Sequence, residues 1–507
     1  MSLKRIQSIT IALLLVAGIL VFVQHSRAQR MAHTFAPVIP KVWDDDEMAS
    51  LHVPLADQAA VPRQISADYY YSIPVRPIYK SYPVYSLDQE PAGYFDKLKQ
   101  LEPEIAFDGT QLKSEADWTR AGEIVFDAPV NYDTVVTAAQ VRDPQWYKHL
   151  AVPATKDGVL PWFRYVVREK GKVEVGTLSC AMCHTRVVPG GTVVKGAQGN
   201  FPFEQAAILY ARERMPVEVL RRFEQSFFGM PWLTTDPLAG VENKSFDEIV
   251  GWHDAIPPGV LSRHGTTPFY PAQISDLIGI RERKYLDHTG LQLQRSIVDL
   301  MRYAALNQGA DNLANYNGFI PAARDFHTQP APGTQRRYSD EQLYALSLYL
   351  YSLSPPENPN KLDTTAKRGE KVFEREGCAG CHTPPLYTNN KLTPVDGFSV
   401  PDDHREKYDV LWASVGTDPR LALMSRRGTG YYKVPSLKGV WYRGPFEHNG
   451  SVATLEDWFD PRRLKDDYVP SGFRGAGVTT RAVKGHRFGL DLSASDKQAL
   501  IAFLKTL

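Results

Sequence analysis

Cysteine is scarce, with four in 507 residues, too few for a disulfide framework to hold a chain of this length. An excess of charge of one sign is also missing, because 58 Lys and Arg meet 57 Asp and Glu for a net charge of +1. That leaves no long-range attraction for a phosphate backbone or an anionic lipid surface, and nucleic acid is not an expected partner. Long apolar runs are lacking beyond the first residues, which excludes a multi-span membrane protein. A composition of 43% hydrophobic and 23% charged residues excludes wholesale disorder. At about 150 residues per domain, the chain has room for roughly three structural units.

The single apolar run, Ile9 to Val23 behind Lys4 and Arg5, reads as an export signal. It is short for a membrane span of about 20 residues, and Ser26 and Ala28 are the small residues of a cleavage site. Cleavage after Ala28 is expected, with an uncleaved N-terminal anchor as the alternative. Either way the body is periplasmic or secreted, and membrane contact is confined to that segment. Residues 29–115, rich in Pro and Tyr as in Tyr82-Pro83-Val84-Tyr85, read as an extended arm, since each proline removes a backbone donor and fixes φ.

The remainder repeats. Gly122-Glu123-Ile124-Val125-Phe126 recurs as Gly369-Glu370-Lys371-Val372-Phe373, and Ala345 to Leu353 recurs as Ala499 to Leu507 with the apolar spacing of a half-buried helix. Ser339 with Gln342 makes a capping-box pattern before the first of these helices, and Pro355-Pro356 ends that unit. The expected units are 116–353 and 364–507, joined by a linker over 354–363. The first is swollen by insertions, because 53 residues separate Phe126 from the first cysteine and only four separate Phe373 from the third. Within the long stretch that follows the first motif, Leu293, Ile297, Leu300, Met301 and Ala304 predict a helix over Leu291–Ala305.

All four cysteines fall in two C-x-x-C-H motifs, Cys180-Ala181-Met182-Cys183-His184 and Cys378-Ala379-Gly380-Cys381-His382. Two thiols one helical turn apart can each add to a vinyl group of the same porphyrin edge, and the next residue then turns its imidazole to the iron. Structural zinc is a poorer reading, since a thiolate with an adjacent His starts no tetrahedron well. Disulfides within or between the motifs are the other reading an exported protein allows. The motifs thus predict two covalently bound haem c groups, with Cys180, Cys183, Cys378 and Cys381 as attachment points and His184 and His382 as proximal ligands.

A further run, Val434-Pro435-Ser436-Leu437-Lys438-Gly439-Val440 leading into Arg443-Gly444-Pro445-Phe446-Glu447-His448-Asn449-Gly450, gives a resemblance. With the two motifs and Gly122–Phe126 followed by Asp127-Ala128-Pro129, residues 116–507 resemble the dihaem bacterial cytochrome c peroxidase superfamily. That superfamily includes the methylamine-utilisation dihaem enzyme and the rubber oxygenases. The resemblance implies a mainly α fold: two tandem class I cytochrome c domains, the first carrying a long loop and helix insertion, behind the Pro/Tyr-rich N-terminal arm. It also implies a role for His448 between the haems. Arg443 stands where the family has Thr, so the family's bridging Ca²⁺ is admitted but not expected, because calcium wants oxygen ligands and not a neighbouring cation.

Peroxidases of the family that need reductive activation cap the first iron with a His shortly after its motif. Here no His lies between His184 and His253, and Gly190-Gly191 and Gly199-Asn200 occupy the loop. The first haem is expected to be open to O₂ or H₂O₂. For the second haem no Met follows His448, the region reading Trp458-Phe459-Asp460-Pro461-Arg462-Arg463. His486, in a turn before the last helix, is the expected sixth ligand, with His448, Met424 and tyrosines as alternatives. Bis-His ligation would lower that haem's potential.

These departures resemble the rubber-oxygenase branch. That analogy implies a dioxygenase cleaving an unsaturated apolar substrate, with Phe227, Phe228, Trp232, Trp252, Phe269, Tyr270 and Phe319 as candidate pocket residues. His253, His264 and His288 are candidate distal groups, and Trp441 a residue of the path between irons. The alternatives are a peroxidase reducing H₂O₂ with electrons from a small periplasmic donor, an enzyme oxidising a protein side chain, and a non-enzymatic carrier with both irons six-coordinate. Nothing in the sequence marks an oligomer interface.

Overall fold

Helices of the computed structural model run over Glu115–Asp127 (α1), Phe203–Arg214 (α2), Val217–Phe228 (α3), Phe246–Asp254 (α4), Ile297–Asn307 (α5), Asp340–Ser352 (α6), Thr364–Arg375 (α7) and Ala494–Leu504 (α8). The structure describes residues 35–507 except 234, 264 and 322–335, so the segment expected to be an export signal and His264 lie outside the described residues. Local chemistry starts each framing helix. Ser114 and Asp117 form a capping box on α1, Ser339 and Gln342 form the one expected on α6, and Asp363 and Ser493 cap α7 and α8.

Two helix pairs, α1 with α6 and α7 with α8, cross at equivalent glycines. A Cβ on Gly122 would lie 2.0 Å from the Ala345 carbonyl oxygen and 2.7 Å from Tyr349 Cβ. One on Gly369 would lie 1.9 Å from the Ala499 carbonyl oxygen and 2.8 Å from Phe503 Cβ. Next to each crossing an aromatic pair closes the contact, Phe126 on Tyr349 at 5.3 Å and Phe373 on Phe503 at 5.4 Å between ring centres. The repeat in the sequence is therefore a repeated helix crossing.

The fold is not as purely helical as expected. The insertion before Cys180 folds largely as an antiparallel sheet of β1 (Ser81–Tyr85), β2 (Asn131–Tyr132), β3 (Val159–Glu169) and β4 (Lys172–Thr177), in the order β1-β3-β4-β2. The run Trp162-Phe163-Arg164-Tyr165-Val166-Val167 explains it, being aromatic or β-branched at every position but Arg164. Trp162, Phe163, Tyr165 and Val167 anchor the core on this sheet. The arm is likewise not simply extended. It carries short helices at Asp45–Ser50, Ala67–Ser72 and Tyr94–Lys99 and contributes edge strand β1, where Pro83 has no inner ladder bond to break. Trp43 and Tyr70, both buried, stack at 4.4 Å inside the core of α1 and α6. The helix expected from Leu291 begins at Ile297, because Ser296 caps it and Leu293 instead donates its N–H to Leu51 in the arm.

The glycine crossings give a test. Gly369→Ala gains about 1 kcal/mol of helix propensity, but its methyl would fall on a backbone carbonyl that cannot rotate aside. A net loss of roughly 1–3 kcal/mol is expected, seen as a lower unfolding temperature of the holoprotein. Gly380→Ala, with open space around its Cβ position, should leave that temperature unchanged.

Candidate functional site

The first motif is a single capped turn. The Ser179 hydroxyl accepts from Met182 N at 3.2 Å and starts the helix Cys180–Cys183. The two residues between the thiols face opposite cores, Ala181 towards α1 and α6 and Met182 towards the sheet. His184 donates its backbone N–H to Cys180 at 2.9 Å and its Nδ1–H to the Ser275 carbonyl at 2.9 Å. That bond fixes the ring and leaves Nε2 as the metal-binding nitrogen. Burial, with Arg263 nearby, pushes His184 down to about 4, so the imidazole is neutral, the form that ligates iron. Burial raises the thiols, Cys180 to about 12 and Cys183 to about 11.

After this motif the chain makes a hairpin, β5 (Thr185–Val188) and β6 (Thr192–Lys195), turning at Gly190 and Gly191 with φ of 86° and 78°. Asn200 clamps the return on the N–H and carbonyl of Val187, and Gly199 packs where a Cβ would meet the Cys183 carbonyl oxygen at 2.1 Å. The loop thus closes on itself and carries no imidazole towards the first site.

The second motif lies on a cavity of about 290 Å³ whose wall includes Cys378, Cys381, His382 and His486. Gly377, at φ 71°, turns the chain into Cys378–Gly380. His382 Nδ1 stands 3.1 Å from the Pro435 carbonyl and 3.2 Å from that of Tyr387, again leaving Nε2 for a metal. The His382 and His486 ring centres are 6.2 Å apart. Two axial imidazoles on one metal, each with a bond of about 2 Å, bring their ring centres to about that separation. His486 Nδ1 is buried without a hydrogen-bond partner. The cavity, its two thiols and the facing imidazoles fit a haem c with two His ligands.

His486 is held firmly. It sits at φ 44°, donates its N–H to the Val415 carbonyl at 2.7 Å, and packs between Trp458 and Phe488. Arg463, 0% exposed, donates to the carbonyls of Trp458, Val483, Gly485 and His486 at 2.7–2.9 Å. Arg463 was not legible as a site residue, since a buried arginine among carbonyls has no local pattern.

His448 lines the same cavity, stacked on Tyr432 at 4.6 Å, with Nδ1 3.4 Å from Glu447 Oε2. Its carbonyl accepts from Gln273 N at 2.7 Å. Gln273, Ser275 and Asp276 line the cavity while Ser275 holds His184, so one short segment touches both motifs. His288 also belongs to this wall, with Nε2 2.7 Å from the Gln273 carbonyl, and not to the far side of the first site. Met424 is not on the wall, and Trp441 packs with Val194, Ala197 and Tyr442 against hairpin β5–β6.

The aromatic residues expected to line one apolar pocket fall into separate pairs, with Phe227 on Phe228, Trp232 on Phe319 and Trp252 on Phe269. Phe228 packs by His253, Trp232 stacks on Tyr316 beside Phe319, Trp252 pairs with Phe269, and Tyr270 lies under Arg420. His253 is buried with Nδ1 2.7 Å from Glu204 and Nε2 3.0 Å from Glu224. Burial alone would lower its pKa, but the two carboxylates raise it to about 10. Both of its ring nitrogens are engaged by carboxylates. Among the described residues no cluster of three or more His, Cys, Asp or Glu could hold a metal ion, and no helix is long and apolar enough to cross a membrane.

Two outcomes follow. In His486→Ala, one low-spin haem should become high-spin by electron paramagnetic resonance, and an unchanged spectrum would place the ligand elsewhere. His253, raised above its ordinary value of 6.5, contributes stability that is complete below that pH and is lost as pH rises through about 10. The urea midpoint should therefore fall between pH 7 and 10, and fall less in His253→Gln.

No family model matches the chain. It is 30% identical over 166 residues to a cytochrome-c peroxidase of Pseudomonas sp. (strain SCT), covering 29% of this chain and 41% of that protein. It is 25% identical over 143 residues to the methylamine utilization protein MauG of Methylorubrum extorquens, covering 28% and 34%. The chain thus spans about two fifths of the length of the curated relatives it matches. A solved MauG-like protein associated with microbial copper homeostasis is 18% identical, covering 46% of this chain and 73% of that one, with a TM-score of 0.28. In its two C-x-x-C-H motifs and over these stretches, the chain is similar to dihaem cytochrome c peroxidases and MauG.

Proposed function

We propose that the chain is an exported haem-dependent oxidoreductase that reduces H₂O₂ at the Cys180–Cys183–His184 site and passes electrons through the Cys378–Cys381–His382 site. The observation that carries this reading is the 6.2 Å spacing of His382 and His486. His382 and His486 would together hold the iron of a haem in this cavity, and the first site, where His184 is the one imidazole the motif supplies, would be the position left to take the oxidant. Haem c supplies the redox chemistry at both positions when bound. The relatives named as peroxidases support peroxide as the oxidant.

The protein's own groups divide the labour. The Ser275 carbonyl, accepting from His184 Nδ1, makes that imidazole a stronger donor to the iron. Arg463, Trp458 and Phe488 keep His486 seated, which suits a centre that changes charge without changing ligands. The segment from Gln273 to Asp276 supplies a covalent and hydrogen-bonded route between the two positions. A small periplasmic electron donor completes the reading.

The oxygenase reading shares the first site. What favours it is hairpin β5–β6, which brings no imidazole that reduction would have to release.

Stopped-flow mixing with H₂O₂ and a reduced small donor should show peroxide-dependent donor oxidation. His184→Ala should abolish it while the low-spin spectrum of the second haem persists. Turnover that survives His184→Ala would overturn the assigned site. Oxygen uptake on polyisoprene latex without peroxide would replace the peroxidase reading with the oxygenase one, and low-spin spectra for both haems would favour an electron carrier.

A further inference from the structure

The wall of the second cavity carries more positive charge than its carboxylates balance. Arg283, Lys433 and Arg443 all line it. Arg283 donates to the carbonyls of Asp276 and Ile278, and Lys433 Nζ to those of Tyr285 and Leu286 at 3.2 Å each. Arg443 Nη2 donates to the Ser436 carbonyl at 2.8 Å, and its Nε is buried without a hydrogen-bond partner. These acceptors are neutral dipoles and cancel no charge.

One carboxylate of the wall serves the group, while Asp287 and Glu282, off the wall, attract Lys433 and Arg283 from outside it. Asp276, with its side chain 2% exposed, holds Oδ2 3.9 Å from Arg443 Nε, and that oxygen already accepts from Tyr442 OH at 2.8 Å. The wall's other carboxylate, Glu447, lies 3.4 Å from His448, and Asp287 lies 3.8 Å from Arg427. Burial and Arg283 push Lys433 down to about 7, with Arg443 adding to the shift. Cations crowded this way are costly until an anion joins them.

We infer that Arg283, Lys433 and Arg443 form an anion site for the carboxylates of the haem c attached through Cys378 and Cys381, and that this cation set takes the place of a bridging Ca²⁺. The inference rests on the reading of this cavity as a haem site. Calcium takes six to eight oxygen ligands, and here it would meet one carboxylate among three cations. The donor set does not fit it.

The test uses the holoprotein. Dialysis against EGTA followed by added CaCl₂ should leave the absorption spectrum and the midpoint potential of the low-spin haem unchanged, and a calcium-dependent change in either overturns the inference. Arg443→Gln removes a cation that favours the reduced state. The ferrous-to-ferric ratio of the low-spin haem at fixed potential should fall about tenfold, about 59 mV for one electron. Arg443→Lys should restore most of it. Lys433→Met, similar in length, should shift the ratio the same way and keeps the test alive where Arg443→Gln fails to fold. Two haems per chain with an unmoved midpoint in both charge-removing variants would sink the anion site alone. A haemochrome count of one haem per chain would sink the haem assignment of the cavity itself.

Discussion

Everything in this molecule depends on how closely two helices can approach where a side chain is missing. At Gly122 and Gly369 the partner helix brings a carbonyl oxygen to within about 2 Å of where a Cβ would stand, a separation no other residue tolerates. The approach lets Phe126 meet Tyr349 and Phe373 meet Phe503, and those rings seal the floor on which each haem motif is laid. In the second unit the motif follows its helix almost at once. In the first, 53 residues intervene, and the sheet solves the geometric problem this creates. Strand β4 ends at Thr177 and Ser179 caps the motif, so the excursion returns Cys180 to the core of α1 and α6, where Ala181 is buried.

The two sites begin alike and end differently. In both, a neutral buried imidazole gives its Nδ1 to backbone carbonyls, a bond that orients the ring. The difference lies beyond the iron. A long turn before α8 brings His486 opposite His382, whereas the hairpin after His184 folds back on its own backbone. His486 stands 6.2 Å from His382 between ring centres, and hairpin β5–β6 brings no imidazole to His184, a contrast that comes from loop geometry and not from the motifs themselves.

Much of this was legible in the sequence, and the reason is locality. A C-x-x-C-H motif, a capping box such as Ser339 with Gln342, and a glycine repeated at a helix crossing are all short patterns with one physical solution. His486 was legible because so few histidines follow the second motif. The sheet was not, because Trp162 to Val167 was weighed as inserted mass and not for its β-branched and aromatic content. The arm misled in the same way: its prolines do oppose inner strands, yet Pro83 is accommodated at an edge. Residues whose roles depend on distant partners stayed hidden. Ser275 acts through a carbonyl that any residue could offer, and the aromatic residues from Phe227 on fall into separate pairs that no local spacing foretells.

Arg463 shows why such residues escape pattern reading and still matter. A guanidinium with no exposed surface ought to be expensive, since transferring a charge out of water costs several kcal/mol even after relaxation. Here four carbonyl oxygens point at its planar fork, and fixed dipoles replace the lost water. The same four bonds tie Trp458 to the turn at 483–486, so the charge is solvated only while the turn holds the shape that presents His486 at φ 44°. A non-glycine residue in that region costs of order 1–3 kcal/mol and persists only when its surroundings over-determine it. The cation and the strained histidine stabilise one another: the turn solvates the guanidinium, and the guanidinium keeps the turn from relaxing away from the second metal position.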